Sequence, residues 1–178
     1  MELKKVISSR QSIRVFKDKQ ISDEIIYKII DAARKAPSGN NSQPSRYFIV
    51  KDQKTKDKLK EIGAIHDTWA YKAPVIIICC SEPKYKKFVE GWDSPDEIRA
   101  LRDVSIASSY LVLRARDLGL GSCYLGWIKP DKIKKVLKIP KDYVIPFVIA
   151  LGYPKITPAD RGRKDIKDII LNPKSIKL

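Results

Sequence analysis

Apolar residues recur at helical spacing in several parts of the chain, most clearly between residues 25 and 33. Five residues there share one helix face: Ile25, Ile26, Ile29, Ile30 and Ala33. Ser22 stands at the N-cap position, and two acidic residues follow it where the helix dipole favours negative charge. Ile21 and Ile26 occupy the positions of a hydrophobic staple. The pattern predicts a helix that ends near Pro37.

Two runs are apolar at successive positions and predict buried strands. They are residues 75–80 (VIIICC) and 145–151 (IPFVIAL), and apolar character on both faces suits central strands covered from both sides. Residues 46–51 (RYFIVK) predict another strand, and one more begins at about Ser122.

Further helices are predicted around these strands. The first carries Leu3, Val6 and Ile7 on one face, and residues 55–62 form a short helix that Gly63 ends. Pro130 begins another helix at its first position. Residues 103–118 are apolar and small-sided through their first ten positions, which indicates burial in a core or at a subunit interface.

The order of elements predicts one domain over residues 1–178, a mixed α/β or α+β sandwich with about four or five strands. Residues 166–178 still carry apolar side chains after the last strand. We expect this tail, from about residue 165, to pack on a partner subunit.

Composition limits the possible classes of protein. A hydrophobic share of 43% in 178 residues is ample for a buried core. The longest apolar run, residues 73–80, is too short to span a bilayer, and no secretory leader is visible at the N-terminus, so we expect a cytoplasmic protein without membrane contact. Cys79, Cys80 and Cys123 form no metal or disulfide pattern, and a single histidine makes a zinc site improbable, so we expect no metal.

The formal charge of +15 leaves a nucleic-acid-binding protein open as an alternative. Lysines are spread through the chain, and the dense clusters are residues 84–87 (KYKK) and 161–164 (RGRK). Aromatic residues are not interleaved with a basic face, and no recognition motif is present. We therefore interpret the net positive charge as that of a solvated, lysine-rich surface, and we expect no nucleic-acid partner.

Three segments are rich in groups that bind anions and ring edges. Arg10, Ser12 and Arg14 alternate, so they would share one side of an extended segment and could clamp a phosphate. Arg161 and Arg163 flank a glycine and could complete such a site. Ordinary surface ion pairs would also explain the first set, and a solvated basic tail would explain the second.

The third segment is the loop APSGNNSQPS at residues 36–45. It offers backbone N–H groups, amides and hydroxyls over a short span, and Gly39 permits close backbone approach to a ligand. A capping and turn loop would use the same residue types.

Taken together and in order, these segments resemble the FMN-dependent nitroreductase family. The resemblance rests on five stretches that cover most of the chain: RQSIRVF (10–16), APSGNNSQPSRYFIV (36–50), CYLGW (123–127), IALGYP (149–154) and the pair at 161 and 163. It implies a mixed, mainly antiparallel sheet flanked by helices, in an intertwined homodimer with FMN sites at the interface.

The resemblance also implies roles for individual residues. Arg10, Gln11 and Ser12 would hold the FMN phosphate and ribityl chain, and Arg14 would face the pyrimidine edge of the flavin. Leu125 and Gly126 would lie against the ring near N5, and Arg161 and Arg163 would bind the phosphate. A further set would reach the flavin from the other subunit: Pro37, Ser38, Gly39 and Asn41.

The chain departs from larger relatives in two places. The pyrimidine-edge Asn and Lys of some members have no clear counterpart, and His66 lies in roughly that place. The segment of residues 82–98 is short and idiosyncratic. In the family, an insertion at this place shapes the substrate pocket.

The implied activity is hydride transfer from NAD(P)H through flavin N5 to a planar acceptor such as a nitroaromatic or quinone, in a ping-pong cycle. No side chain is expected to act as an acid or nucleophile. A flavin reductase or dehalogenase of the same fold is the alternative enzyme, and a flavin-binding protein without turnover is a third possibility.

Overall fold

The computed structural model of the protein describes residues 1–83 and 96–170. The predicted tail beyond Ile170, the lysine cluster at 84–87 and most of the segment 82–98 lie outside these residues.

The described residues form helices, two short 3-10 turns and a four-stranded sheet. The helices are α1 (Leu3–Ser9), α2 (Asp23–Arg34), α3 (Gln53–Glu61), α4 (Asp96–Asp117), α5 (Pro130–Leu137) and α6 (Ile166–Ile169). The strands are β1 (Ser45–Val50), β2 (Val75–Ser81), β3 (Gly121–Leu125) and β4 (Val144–Gly152), and the 3-10 turns are Gly39–Asn41 and Thr68–Lys72.

The sheet has the strand order β1-β2-β4-β3, and every pair of neighbours is antiparallel. In the described part of the chain, parallel pairing occurs only at an isolated bridge between Ser12 and Ser122. The predicted α+β class with a mainly antiparallel sheet is therefore confirmed.

Strand β2 is covered on both faces, as its apolar run predicted. Ile76 and Ile78 join one core with α3 and α5, whereas Val75 and Ile77 join a second core with α2 and α4. Each of these four side chains is fully buried. The result is three layers, with the sheet between two pairs of helices.

Helix α2 follows its predicted boundaries and cap. Ser22 Oγ accepts a hydrogen bond from the backbone N–H of Ile25 (3.4 Å), and the staple residues Ile21 and Ile26 are both buried. The helix ends at Arg34, shortly before Pro37. Local signals set these boundaries, because the cap and staple residues lie within one turn of the helix start.

Helix α4 begins at Asp96 rather than at residue 103, so the predicted start was too late. Charged residues such as Arg99 and Arg102 interrupt the apolar spacing in its first turns. Ile98 and Leu101 are about half exposed in the same turns, at 54% and 50%. The described chain therefore leaves an apolar patch on this helix uncovered.

No helix in residues 1–83 or 96–170 combines the length and apolar character that crossing a bilayer requires. Within the same ranges, His, Cys, Asp and Glu side chains do not gather in groups of three that could hold a metal ion.

Candidate cofactor site

A cavity of about 160 Å³ is lined by four arginines from two distant parts of the chain. Its lining residues are Arg10, Gln11, Ser12, Arg14, Pro158, Ala159, Asp160, Arg161 and Arg163. We call this the arginine cavity. The structure thus brings together the two basic segments that the sequence suggested as parts of one anion site.

The segment that carries Arg10 to Arg14 is fixed against the sheet. Ile13 is 4% exposed, and its backbone N–H donates to Ser122 O in β3 (3.0 Å). A Cβ on Gly121 would lie 2.8 Å from the Cβ of Ile13, closer than packed carbons approach. Gly121 therefore permits this close contact, and any larger residue would push the segment away.

The two basic segments are also joined by backbone hydrogen bonds. Lys17 N–H donates to Tyr153 O (2.8 Å), and Lys155 N–H donates to Val15 O (3.0 Å). The chain that leaves β4 therefore runs beside residues 15–17. This pairing brings the chain after β4 to the cavity that Arg10 also lines.

The arginine cavity holds uncompensated positive charge. Within the described residues, the side chains of Arg10, Arg14 and Arg161 make no hydrogen bond or ion pair, and Arg163 donates to Gly162 O (2.6 Å). Asp160 is the one acidic lining residue, and its Oδ1 accepts from the Gly162 N–H (3.0 Å). Free guanidinium groups in a concave site favour a phosphate.

The side chain of Gln11 is a second indication that the arginine cavity binds a ligand. Its Oε1 is buried and has no hydrogen-bond partner, a state that costs free energy unless a donor arrives. A phosphorylated polyol would bring both the anion for the arginines and hydroxyl donors for Gln11. The residues present therefore fit the phosphate end of FMN.

The cavity is smaller than the range of about 300–1,000 Å³ typical of small-molecule sites. It can hold the phosphate end of a flavin nucleotide. The isoalloxazine ring would have to be bound by residues outside this cavity. Leu125 is buried, and Gly126 is exposed, with open space where a Cβ would lie. These two residues do not line the arginine cavity, and the surface at Gly126 is open to a ligand.

The loop at residues 37–43 has an unusual backbone. Asn40, Asn41 and Gln43 all have positive φ, near 50°, and Ser38 Oγ accepts from the Gln43 N–H (2.9 Å). Left-handed conformations of non-glycine residues cost free energy and often occur at functional sites. None of the predicted residues Pro37, Ser38, Gly39 and Asn41 lines the arginine cavity.

The same loop rests on α4. A Cβ on Gly39 would lie 3.3 Å from Arg102 Nη2 and 3.9 Å from Asp103 Oδ2. Asp103 is 2% exposed, and its Oδ2 has no hydrogen-bond partner, although Oδ1 accepts from Arg102 Nε (3.1 Å). The sequence analysis did not identify this carboxylate, since nothing in its neighbourhood distinguishes it from a surface residue of α4.

A second cavity, of about 470 Å³, lies beyond the end of β3. Its lining residues are Lys60, Gly63, Ile65, His66, Thr68, Tyr71, Trp127, Ile128 and Lys129, and we call it the tryptophan cavity. His66 is exposed and lies here, apart from the arginines. Trp127 and the two lysines were not singled out from the sequence, although Trp127 ends the CYLGW stretch.

The thiols are unsuited to nucleophilic chemistry. All three cysteines are free and buried, and burial raises the pKa of Cys80 to about 12. Burial likewise raises the pKa values of Cys79 and Cys123. Buried thiols with raised pKa values stay protonated and inert at neutral pH.

The chain is similar to known proteins over most of its length. The sequence profile of the Nitroreductase family matches residues 7–66 and 61–153. A protein of Archaeoglobus fulgidus, provisionally named an NADH dehydrogenase/NAD(P)H nitroreductase, is 36% identical over 159 residues, which cover 86% of each chain. The FMN reductase [NAD(P)H] of Bacillus subtilis is 29% identical over 176 residues, 92% of this chain and 68% of that one.

The fold agrees as well. The crystal structure of a nitroreductase family protein from Clostridium novyi superposes with a TM-score of 0.76 at 32% identity, and the match covers 87% of this chain and 88% of the other. These likenesses define the class of protein: an NAD(P)H-dependent oxidoreductase that uses FMN. The chain belongs to the nitroreductase family.

Proposed function

We propose that the protein passes hydride from NAD(P)H through FMN to a planar electrophile such as a nitroaromatic or a quinone, in a ping-pong cycle. The observation that carries the proposal is the convergence of Arg10 and Arg14 with Arg161 and Arg163 on one small cavity. When bound, FMN supplies the hydride chemistry at its N5 atom. The side chains bind, orient and compensate charge.

Each part of the arginine cavity has a role in this proposal. Arg10, Arg161 and Arg163 hold the phosphate, while Gln11 and Ser12 hydrogen-bond the ribityl chain. Arg14, the exposed arginine of the first segment, faces the pyrimidine edge. Positive charge at that edge stabilises a reduced, anionic flavin, which raises the tendency of the cofactor to accept hydride.

A homodimer completes the site. Residues 37–41 do not reach the arginine cavity of their own subunit, so we assign them to the flavin of the partner. The exposed apolar residues Ile98 and Leu101 on α4, together with Ile166 and Ile169 in α6, supply surface for such contact. The predicted packing of the tail on the partner is part of the same proposal.

No side chain is assigned a chemical step. The buried thiols are protonated, and His66 lies in the tryptophan cavity. Catalysis then rests on orientation and on charge near the cofactor. We keep contact between His66 and the pyrimidine edge as a subsidiary proposal, which His66→Ala tests through the visible spectrum of the bound flavin.

The direct experiment measures the colour of the purified protein and its response to donors. We expect flavin absorbance that bleaches under anaerobic conditions with NADH or NADPH and returns when a quinone is added. Colour without bleaching would favour flavin storage without turnover. A protein that takes up no FMN would contradict the proposal, and binding of DNA or RNA that weakens steeply with salt would favour the basic nucleic-acid-binding alternative.

A specialised flavoenzyme of the same fold remains the second candidate, because a relative is named an FMN reductase. Transfer of electrons to free FMN in preference to nitroaromatics and quinones would favour it. Release of halide from an iodinated phenol would favour a dehalogenase.

A further inference from the structure

We propose that the tryptophan cavity binds the phosphorylated adenosine end of the nicotinamide dinucleotide donor. This inference rests on the proposed function, since it concerns how the donor is held beside the flavin. Three properties of the cavity carry it: an exposed aromatic platform, unpaired positive charge, and walls that are fixed before any ligand arrives.

The platform is the indole of Trp127, which is 71% exposed. His66 packs against it, with ring centroids 5.2 Å apart and planes at 88°, and the high exposure of Trp127 leaves much of the indole surface open. Exposed aromatic faces stack well on nucleobases, whatever the base. A purine can therefore lie on Trp127.

The charge around the platform is positive. Lys60 and Lys129 line the cavity, and neither side chain makes a hydrogen bond or an ion pair within residues 1–83 and 96–170. Among the lining residues that the structure describes, Asp and Glu do not occur. Lysine is a common partner of phosphate, and unpaired lysines beside a stacking surface fit a phosphorylated nucleoside better than a neutral aromatic acceptor.

The walls are held by hydrogen bonds between two segments. His66 N–H donates to Trp127 O (2.9 Å), Lys129 N–H donates to Ala64 O (2.8 Å), and Ile65 pairs with Ile128. Tyr71 is buried beneath, where its hydroxyl accepts from Ile65 N–H (2.8 Å). Binding therefore needs little ordering of the chain, and a preformed site binds more tightly.

The position of the cavity also suits the donor. Trp127 directly follows Gly126, and Ile128 N–H donates to Gly126 O (3.0 Å). The tryptophan cavity therefore adjoins the surface at Gly126 over which the nicotinamide would lie, and the rest of the dinucleotide can extend into it. The volume of about 470 Å³ falls within the usual range for small-molecule sites.

The test titrates the FMN-loaded protein with adenosine 2′,5′-bisphosphate, with 5′-AMP and with adenosine, by calorimetry. We expect both phosphorylated compounds to bind and adenosine to bind at least about tenfold more weakly. Tighter binding of the 2′,5′-bisphosphate than of 5′-AMP would indicate that NADPH is the preferred donor. Equal binding of the two compounds would indicate no preference between NADH and NADPH. The bound nucleotide should compete with the donor and slow flavin bleaching.

Three variants locate the binding. Trp127→Ala and the double variant Lys60→Ala, Lys129→Ala should each weaken nucleotide binding by about tenfold or more, while Trp127→Phe retains most of it. The matched control is Lys58→Ala, which removes an exposed lysine of α3 outside the cavity and should leave binding unchanged. Flavin content should stay at the wild-type level in all four variants.

Nucleotide binding that is the same in Trp127→Ala as in the wild type would overturn the inference, even if NADPH still bleaches the flavin. A change confined to the rate with the acceptor would also overturn it, because the cavity would then hold the acceptor. If the protein binds no flavin but still binds the bisphosphate through Trp127, the proposed function fails and the nucleotide site stands.

Discussion

Ser38 Oγ accepts a hydrogen bond from the backbone N–H of Gln43 at 2.9 Å, which closes the loop that contains three left-handed residues. Gln43 itself has a φ of 49°, so this bond holds a residue in a conformation that it would otherwise leave. We expect Ser38→Ala to lower stability by about 1 kcal/mol and to weaken FMN binding about tenfold, because in the proposed dimer this loop is a preformed wall of the partner's flavin site. Fluorescence titration of apo-protein with FMN measures the second effect.

The control for that change is Ser22→Ala. It removes the N-cap of α2 and should cost about 1 kcal/mol of stability, yet it lies outside the site. If both variants lose stability equally and bind FMN equally well, the loop at residues 37–43 has no part in cofactor binding.

Arg10 offers the most direct test of the arginine cavity. Arg10→Ala should weaken FMN binding by about tenfold to a hundredfold, since charge-assisted hydrogen bonds to phosphate are worth about 1.5–3 kcal/mol. The melting temperature of the apo-protein should hardly change, because Arg10 pairs with nothing in the described chain. Arg34→Ala, which breaks only an exposed ion pair with Asp31, is the matched control. If the two variants bind FMN with equal affinity, Arg10 does not take part in FMN binding.

The proposed dimer can be tested through Leu101, which is 50% exposed on α4. Leu101→Arg should shift the protein to monomers in sedimentation and release flavin in the same concentration range, because a buried unpaired charge is costly. Leu101→Met keeps the surface apolar and should retain both dimer and flavin. A monomeric variant that still holds FMN tightly would show that one subunit suffices.

Burial of the thiols predicts a loss of stability at alkaline pH. Burial raises the pKa of Cys80 from its usual value to about 12, whereas in the unfolded chain it titrates near about 8.5. Above that value the unfolded state loses the proton first, so the free energy of unfolding falls as pH rises toward the folded pKa. We expect the free energy of unfolding, measured with urea between about pH 9 and 10, to fall less steeply with pH in Cys80→Ala than in the wild type. The two slopes should differ by up to about 1.4 kcal/mol per pH unit.

Thiol labelling checks the same burial independently. With a chromogenic disulfide at about pH 8, the native protein should react slowly, and all three cysteines should react once guanidinium unfolds it. Rapid labelling of the native protein would contradict the buried state of these thiols.

Lys138 ends α5 in the left-handed region, with a φ of 55°. Glycine adopts this conformation without the Cβ clash, so Lys138→Gly should raise the free energy of unfolding by up to about 1 kcal/mol. Lys138→Ala keeps the clash and separates this effect from loss of the lysine. Thermal unfolding at neutral pH measures both, and a destabilised glycine variant would contradict the explanation.

Much of the secondary structure was predictable because its signals are local. The N-cap and staple of α2 lie within a few residues of one another, and the apolar runs of β2 and β4 reflect coverage on both faces. The start of α4 was missed because its first turns carry charge and exposed apolar residues. These turns have no core-facing stripe of the kind that hydrophobic spacing detects.

The site was predictable only in part. The sequence identified the segments of Arg10 and Arg161 as candidates. Their proximity in space depends on the backbone pairing of Lys17 with Tyr153, which no local sequence pattern predicts. His66 was grouped with the flavin residues; the structure shows its ring against Trp127, and its contact with the flavin stays a prediction. Contacts between segments so far apart in sequence follow from strand order, and strand order is not visible in periodicity.

Because β4 lies between β2 and β3 in the sheet, assembly of the native protein has to wait until β4, in the last quarter of the chain, has been made. Until residue 152 leaves the ribosome, the edge of β2 and the whole of β3 present unpaired backbone groups to the cell. Such exposed edges invite aggregation, and long-range strand insertion is slow. A nascent chain halted before residue 144 should therefore depend on chaperones, whereas one halted after residue 152 can close its sheet.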